Sequence, residues 1–103
     1  MKTIAVIDYG GGNSKSVCNA LDFIGCNYKF TSDKKIIQDC SHIILPGVGS
    51  YAGLMESLLK KGLLDILKHE ILIKNKFYLG ICVGMQILSE YGLEFGRHKG
   101  LGW

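Results

Sequence analysis

The stretch Phe77-Tyr78-Leu79-Gly80-Ile81-Cys82-Val83-Gly84 decides the fold of this chain of 103 residues. Its apolar first part predicts a buried strand with Cys82 at its end, and residues 83–91 continue as a helical pattern that Gly92 ends. A strand that leads directly into a helix is the repeating unit of parallel α/β sheets. The rest of the sequence repeats this unit.

Three earlier segments have the composition of strands: residues 3–7, 27–31 and 42–45. The first is a continuous apolar run rich in β-branched residues, which is typical of a strand buried on both faces. The second alternates, and Pro46 is expected to end the third sharply. Together with the stretch that ends at Cys82, these segments predict a small sheet.

Helical patterns separate these strands at residues 14–25, around residues 35–37 and over residues 54–73. Gly25 is the expected end of the first helix, with Ser14 or Asn13 as its cap, and Gly62 interrupts the third pattern. Strands that alternate with helices predict one α/β domain over residues 1–103. We expect an open, mostly parallel sheet with helices on both faces, of the flavodoxin-like kind.

Composition excludes several classes of protein. Hydrophobic residues make up 48% and charged residues 20%, which is too apolar for a disordered segment. The 14 glycines have no three-residue period, so the chain is not collagen-like. No apolar run approaches the roughly 20 residues that a membrane span needs. The apolar run at residues 4–7 is too short for a signal peptide, so we expect a cytoplasmic protein.

Charge and cysteine spacing exclude two further kinds of site. The net charge is +3 and the lysines are scattered, whereas nucleic-acid binding favours a clustered basic stripe. The four cysteines form no CxxC pair and have no histidine at zinc spacing, so no metal site is expected, and we expect free thiols. We also expect no cofactor. Cys18 adjoins the first apolar stripe, Cys26 follows Gly25, and Cys40 lies in a polar turn, which are ordinary structural positions.

Special loops follow three of the predicted strands, at residues 8–13, 46–50 and 80–84. In an open parallel sheet, every loop that leads from a strand into a helix lies at the carboxyl edge, where ligands bind. The topology therefore predicts that the three loops converge there.

Gly80-Ile81-Cys82-Val83-Gly84 has the glycine–nucleophile–glycine spacing of a nucleophile elbow. We expect a reactive Cys82 whose thiolate is favoured by a helix N-terminus, with the Val83 N–H directed at a developing oxyanion. The alternative is a buried structural cysteine between two packing glycines. Pro46-Gly47-Val48-Gly49 is either a simple turn or a second source of oxyanion-binding N–H groups.

Three motifs together resemble one protein family: Asp8-Tyr9-Gly10-Gly11-Gly12-Asn13, Pro46-Gly47-Val48-Gly49 and Gly80-Ile81-Cys82-Val83-Gly84-Met85-Gln86. In this order and spacing they are similar to the class I (triad) glutamine amidotransferases. More narrowly, the chain resembles the glutaminase subunits of imidazole glycerol phosphate synthases of histidine biosynthesis. The resemblance covers the whole chain.

The resemblance implies that Cys82 attacks the side-chain amide of glutamine and that the backbone groups of Val83 and Gly49 form the oxyanion hole. It also implies that Gln86 and Gly47 help to bind the substrate. In the family, ammonia then passes to a (β/α)8-barrel cyclase subunit, the expected partner. Val83 replaces a usual leucine, and Gly11 replaces a larger apolar residue.

Members of the family are roughly twice as long, a usual single-domain size, and their catalytic histidine and glutamate lie in the second half. By this resemblance, residues 1–103 are the amino-terminal half of an amidotransferase domain. His42, His69 and His98 do not match the family's base, so we expect no useful activity from the chain alone. A sheet of these strands should also leave an exposed edge and favour aggregation.

Three alternatives stay open on the sequence. One is a paralogous amidotransferase that supplies ammonia for surface-sugar synthesis, whose motifs would look alike. Another is a small α/β hydrolase with a cysteine elbow, which would need neither Gln86 nor the loop at residues 46–49. The last is a non-enzyme, either a flavodoxin-like binding module or an inactive truncated amidotransferase.

Overall fold

Four parallel strands form the central sheet in the order β2-β1-β3-β4. They are β1 (Ile4–Ile7), β2 (Tyr28–Thr31), β3 (His42–Gly47) and β4 (Phe77–Cys82). The computed structural model describes residues 2–11 and 14–103, so the predicted cap at Asn13 lies outside the described residues. The parallel sheet and the position of each strand confirm the sequence prediction.

Helices lie on both faces of the sheet, as predicted. They are α1 (Lys15–Ile24), α2 (Lys34–Asp39), α3 (Tyr51–Lys60), α4 (Leu64–Lys68) and α5 (Val83–Gln86), with a π-helical turn at His69–Ile73. Leu21 of α1 packs on one face against Val6 and Ile44. The larger core cluster on the other face includes Leu58 and Leu67.

Several helix ends follow local sequence signals. Gly25 ends α1 at φ +77° and Gly62 follows α3 at φ +68°, both left-handed conformations that glycine adopts without strain. Asp33 caps α2 by accepting hydrogen bonds from two backbone N–H groups. Ser14 occupies the cap position of α1, and its side chain makes no capping bond among the described residues.

Strand β3 continues through Pro46, so the prediction that the proline ends it sharply is wrong. Pro46 pairs in register with Ile81 of β4, while the pairing of β1 with β3 ends at Ile44. The strand therefore has one neighbour at Pro46. A residue without an N–H group is tolerated at such a position.

Strand β4 is exposed on one face at Phe77 and Leu79, which corrects the prediction of a buried strand. It lies at the edge of the sheet, and the side chains of Phe77 and Leu79 are 73% and 55% exposed. Tyr78 packs against the larger core cluster on the opposite face. Phe77 and Leu79 lie outside the smaller cluster that α1 forms with Val6 and Ile44.

The helix predicted for residues 83–91 ends after Gln86, because backbone N–H groups from the end of the chain hydrogen-bond to the carbonyl groups of the residues that follow Gln86. The Leu101 N–H donates to the Ile87 carbonyl at 2.7 Å, and the Trp103 N–H donates to the Leu88 carbonyl at 2.8 Å. The chain then forms a short antiparallel hairpin of β5 (Tyr91–Gly92) and β6 (His98–Lys99). Across the described ranges, every helix is too short or too polar to cross a membrane.

Candidate active site

Cys82 stands at the end of β4 in an unusual backbone conformation. Its φ is +54° and its ψ is −117°, and its side chain is exposed. In the parallel register it lies opposite Gly47 of β3, which brings the loop after β3 beside the turn that carries the thiol. Among the four cysteines, Cys82 is the exposed one.

Three glycines bring the backbones around Cys82 into direct contact. A Cβ atom on Gly47 would clash with the Gly84 backbone nitrogen, and one on Gly80 would clash with the Gly84 carbonyl. A Cβ atom on Gly84 would in turn meet the carbonyl oxygen of Leu45. The glycine spacing around Cys82 is therefore a packing requirement of the sharp turn between β4 and α5.

The loop after β3 is held by the segment that follows β1. The backbone N–H of Val48 donates to the hydroxyl of Tyr9 at 3.3 Å, and Tyr9 is buried. Gly49 is exposed and adopts φ +82°. The loops after β1, β3 and β4 thus meet at one edge of the sheet, as the topology predicted.

Glu94 joins this edge from the hairpin loop, although the site predicted from the sequence did not include it. Its carboxylate accepts a hydrogen bond of 3.1 Å from the backbone N–H of Tyr51, and the Ser50 hydroxyl accepts one of 3.0 Å from the Gly53 N–H. A negative charge is favourable at a helix N-terminus such as that of α3. No local signal shows that Glu94 lies there, because the contact spans 43 positions of sequence.

The other predicted site residues occupy different surroundings. Val83 is buried, with its carbonyl accepting from the Ile87 N–H at 3.0 Å, and Gln86 is exposed at the end of α5. Gly47 is buried against Gly84, so only its backbone can meet a ligand. Since α5 has four residues, its dipole supports the thiolate of Cys82 less than the predicted longer helix would.

The other thiols are less suited to react. Burial raises the pKa of the Cys40 thiol, which is 4% exposed in the core and not in a polar turn as predicted. Burial likewise raises the pKa of Cys18, which lies on α1 and packs against Val6, Leu21 and Ile44. Cys26 is half-buried at the end of α1. A raised pKa keeps a thiol protonated and less nucleophilic, which disfavours Cys18 and Cys40 as nucleophiles.

Each histidine ring interacts away from Cys82. The ring of His42 lies 2.8 Å from the Ser41 hydroxyl and stacks on Phe77, and His69 pairs with Glu70 at 2.8 Å. His98 lies 3.0 Å from the Phe95 carbonyl in the hairpin. Within residues 2–11 and 14–103, no cluster of three or more histidine, cysteine or acidic side chains could hold a metal ion.

A cysteine on a strained turn at the carboxyl edge of a parallel sheet defines an α/β protein of the nucleophile-elbow class. The chain belongs to the class I glutamine amidotransferase family, because the family described as "Glutamine amidotransferase class-I" matches residues 5–99. A solved structure described as "Crystal structure of glutamine amidotransferase" matches with a TM-score of 0.76 and 18% identity, over 95% of this chain and 51% of that one. At that identity the structure supports the fold alone.

Curated relatives align with nearly the whole chain. "Imidazole glycerol phosphate synthase subunit HisH" of Listeria monocytogenes serotype 4b is 48% identical over 99 residues, which cover 96% of this chain and 47% of the relative. The protein of the same name from Zymomonas mobilis is 43% identical over 107 residues, covering 98% and 49%. The chain spans about half the length of the curated relatives it matches.

Proposed function

We propose that this chain carries the nucleophile of a glutaminase that supplies ammonia within an imidazole glycerol phosphate synthase. The observation that carries the proposal is Cys82, exposed at φ +54° on the sharp turn opposite Gly47. The names of the HisH relatives support the synthase assignment. We expect the reaction to take place in the cytoplasm and without a cofactor.

The thiol of Cys82 attacks the side-chain amide carbon of glutamine, and the carbonyl electron pair moves to its oxygen. The backbone N–H groups of Val83 and Gly49 stabilise that oxyanion. When the carbon–nitrogen bond breaks, the nitrogen takes the proton of the thiol and leaves as ammonia. Water then hydrolyses the thioester to glutamate and the free thiol. Gln86 and the backbone of Gly47 contact the substrate.

The reaction needs a group that moves a proton from the thiol to the leaving nitrogen. The rings of His42, His69 and His98 are engaged with other groups. We therefore infer that this group lies outside these 103 residues and that the chain alone turns over little glutamine. The ammonia would pass to a (β/α)8-barrel cyclase subunit, the partner we propose.

A diazo ketone analogue of glutamine tests the assignment of Cys82, because it alkylates a thiol efficiently only when it first binds as glutamine does. We expect one adduct, on Cys82, that excess glutamine suppresses and Cys82→Ala abolishes. Cys26→Ser is the matched control and should retain full labelling. Labelling that glutamine does not suppress, or that spreads equally to Cys18 and Cys26, would contradict the proposal.

Glutamate release tests the need for a group outside the chain. It is measured with the chain alone and with a purified barrel subunit from the same organism. Turnover by the chain alone that Cys82→Ala abolishes would show that these residues contain a complete catalytic set.

A further inference from the structure

Tyr78 reaches the backbone directly behind the candidate nucleophile. Its hydroxyl donates a hydrogen bond of 2.7 Å to the Gly84 carbonyl. Since side chains alternate along a strand, Tyr78, Gly80 and Cys82 face the same side of β4. Gly80 has no side chain to fill the space between them, and the Gly84 carbonyl occupies that space. The Tyr78 hydroxyl therefore bonds the carbonyl group that stands where a side chain on Gly80 would lie.

The Gly84 carbonyl needs this hydrogen bond because α5 does not supply one. In a longer helix the Leu88 N–H would donate to Gly84, but here it donates to the Met85 carbonyl at 3.2 Å. Gly84 is buried. A buried carbonyl without a partner costs free energy, and the Tyr78 hydroxyl supplies the partner that the Gly84 carbonyl lacks within α5.

The tyrosine ring is itself firmly placed. It packs on the larger core cluster and meets the ring of Trp103 edge to face, with 6.3 Å between the centroids. Burial raises the pKa of Tyr78 well above its usual range. The hydroxyl therefore stays protonated and remains a donor at neutral and mildly alkaline pH.

We propose that Tyr78 is a positioning residue that fixes the Val83 N–H toward the site where the oxyanion forms. Val83 lies between two anchored residues, Cys82 in register with Gly47 and Gly84 held by Tyr78. With both neighbours fixed, the peptide between Cys82 and Val83 has little freedom to turn. The oxyanion role of this N–H rests on the proposed glutaminase function, whereas the restraint on α5 does not.

The test compares the purified chain with Tyr78→Phe, which keeps the half-buried ring and removes only the hydroxyl. Two reactions of Cys82 are followed: alkylation by iodoacetamide, which needs only an accessible thiol, and inactivation by the diazo ketone analogue, whose ketone oxygen takes the place of the amide oxygen. We expect the maximal inactivation rate to fall about tenfold, while the half-saturating concentration and the iodoacetamide rate change less than about twofold. An equal loss of both rates, or no loss, would overturn the proposal.

Amide hydrogen exchange tests the restraint on α5 without glutamine chemistry. In Tyr78→Phe the Ile87 N–H, which closes the α5 turn on Val83, should exchange about tenfold faster, while Ile44 in the central sheet keeps its rate. Unchanged exchange at Ile87 would overturn the proposal. If the unaltered chain fails to bind the analogue, the glutaminase function and with it the oxyanion role fail, and exchange still decides the restraint. Tyr28→Phe, which removes a hydroxyl from β2, is the matched control and should alter none of these rates.

Discussion

The carbonyl oxygen of Leu45 occupies the place where a Cβ atom on Gly84 would stand. Strand β3 and helix α5 therefore touch backbone to backbone, with no side chain between them. Gly47 and Gly80 make the same kind of contact with Gly84 from β3 and β4. This close approach sets the sharp turn at Cys82 and ties the geometry of the candidate nucleophile to the packing of two strands.

Gly84→Ala should therefore strongly destabilise the chain. The added methyl group would press on a backbone carbonyl that cannot rotate away, and such overpacking costs about 3 kcal/mol. Urea unfolding measures the loss. Gly11→Ala is the matched control, because its Cβ atom would make only ordinary contact with the Tyr9 ring. Equal unfolding midpoints for the two variants would show that the backbone contact tolerates a methyl group.

Cys82→Gly should be more stable than Cys82→Ala, although both remove the thiol. The φ of +54° and ψ of −117° at Cys82 favour glycine, and a side chain held in such a region costs about 1–3 kcal/mol. Glycine lowers the free energy of unfolding by about 0.5–1 kcal/mol, because it gives the unfolded chain more conformational entropy than alanine does. We expect a net gain of about 1 kcal/mol in the free energy of unfolding. Equal stability of the two variants would mean that the turn holds no such strain.

The sequence was informative where a structure depends on near neighbours. The apolar runs of β1 and β3, the left-handed end of α1 at Gly25 and the glycine spacing around Cys82 are local features, and each prediction is confirmed. General rules for parallel sheets then predicted right-handed connections and placed the loops that follow the strands at the carboxyl edge. These rules also brought the loops after β1, β3 and β4 to one edge.

Predictions failed where distant segments compete for the same groups. The pattern at residues 83–91 is helical, but the N–H groups of residues 100–103 donate hydrogen bonds to the carbonyl groups of residues 87–90. The pairing of Glu94 with the N-terminus of α3 and the burial of Cys40 also depend on tertiary contacts. The exposure of Phe77 and Leu79 follows from the position of β4 at the sheet edge, which an apolar run alone does not reveal.

Glu70 should make the stability of the chain sensitive to acid. It is 2% exposed and pairs with Lys76 at 2.7 Å and with His69 at 2.8 Å. Burial by itself would raise the pKa of Glu70, but the hydrogen bonds from Lys76 and His69 outweigh burial and lower it. The unfolded chain then binds the proton more tightly than the folded chain. The stabilisation is present above the unfolded pKa of about 4.3 and is lost as the pH falls through the lower folded pKa.

Glu70→Gln should remove that part of the acid sensitivity and weaken the chain at neutral pH. Breaking a buried ion pair by removing one partner costs about 3 kcal/mol, because Lys76 keeps its charge without the carboxylate. The free energy of unfolding is measured from pH 7 down to about pH 3 in both proteins. Glu56→Gln, which removes an exposed pair with Lys60, is the control and should change neither quantity. Parallel pH profiles of Glu70→Gln and the unaltered chain would contradict the assignment.

Leu79→Lys should keep the chain monomeric at higher concentration with little loss of stability. Leu79 is 55% exposed on β4, and β4 leaves an open row of backbone groups at the edge of the sheet. Natural edge strands carry charged residues, lysine above all, because a charge discourages pairing with another chain. Light scattering with size-exclusion chromatography measures the effect, and urea unfolding checks the fold.

The control for this prediction is Phe23→Lys on α1, which removes a side chain that is 82% exposed but lies on a helix. If pairing at the edge of the sheet drives association, Leu79→Lys suppresses it and Phe23→Lys does not, although Phe23 exposes more of its surface. Equal suppression by both variants would assign association to general surface hydrophobicity. A chain that is already monomeric at high concentration and unfolds reversibly in one sharp transition would show that the edge of β4 is harmless.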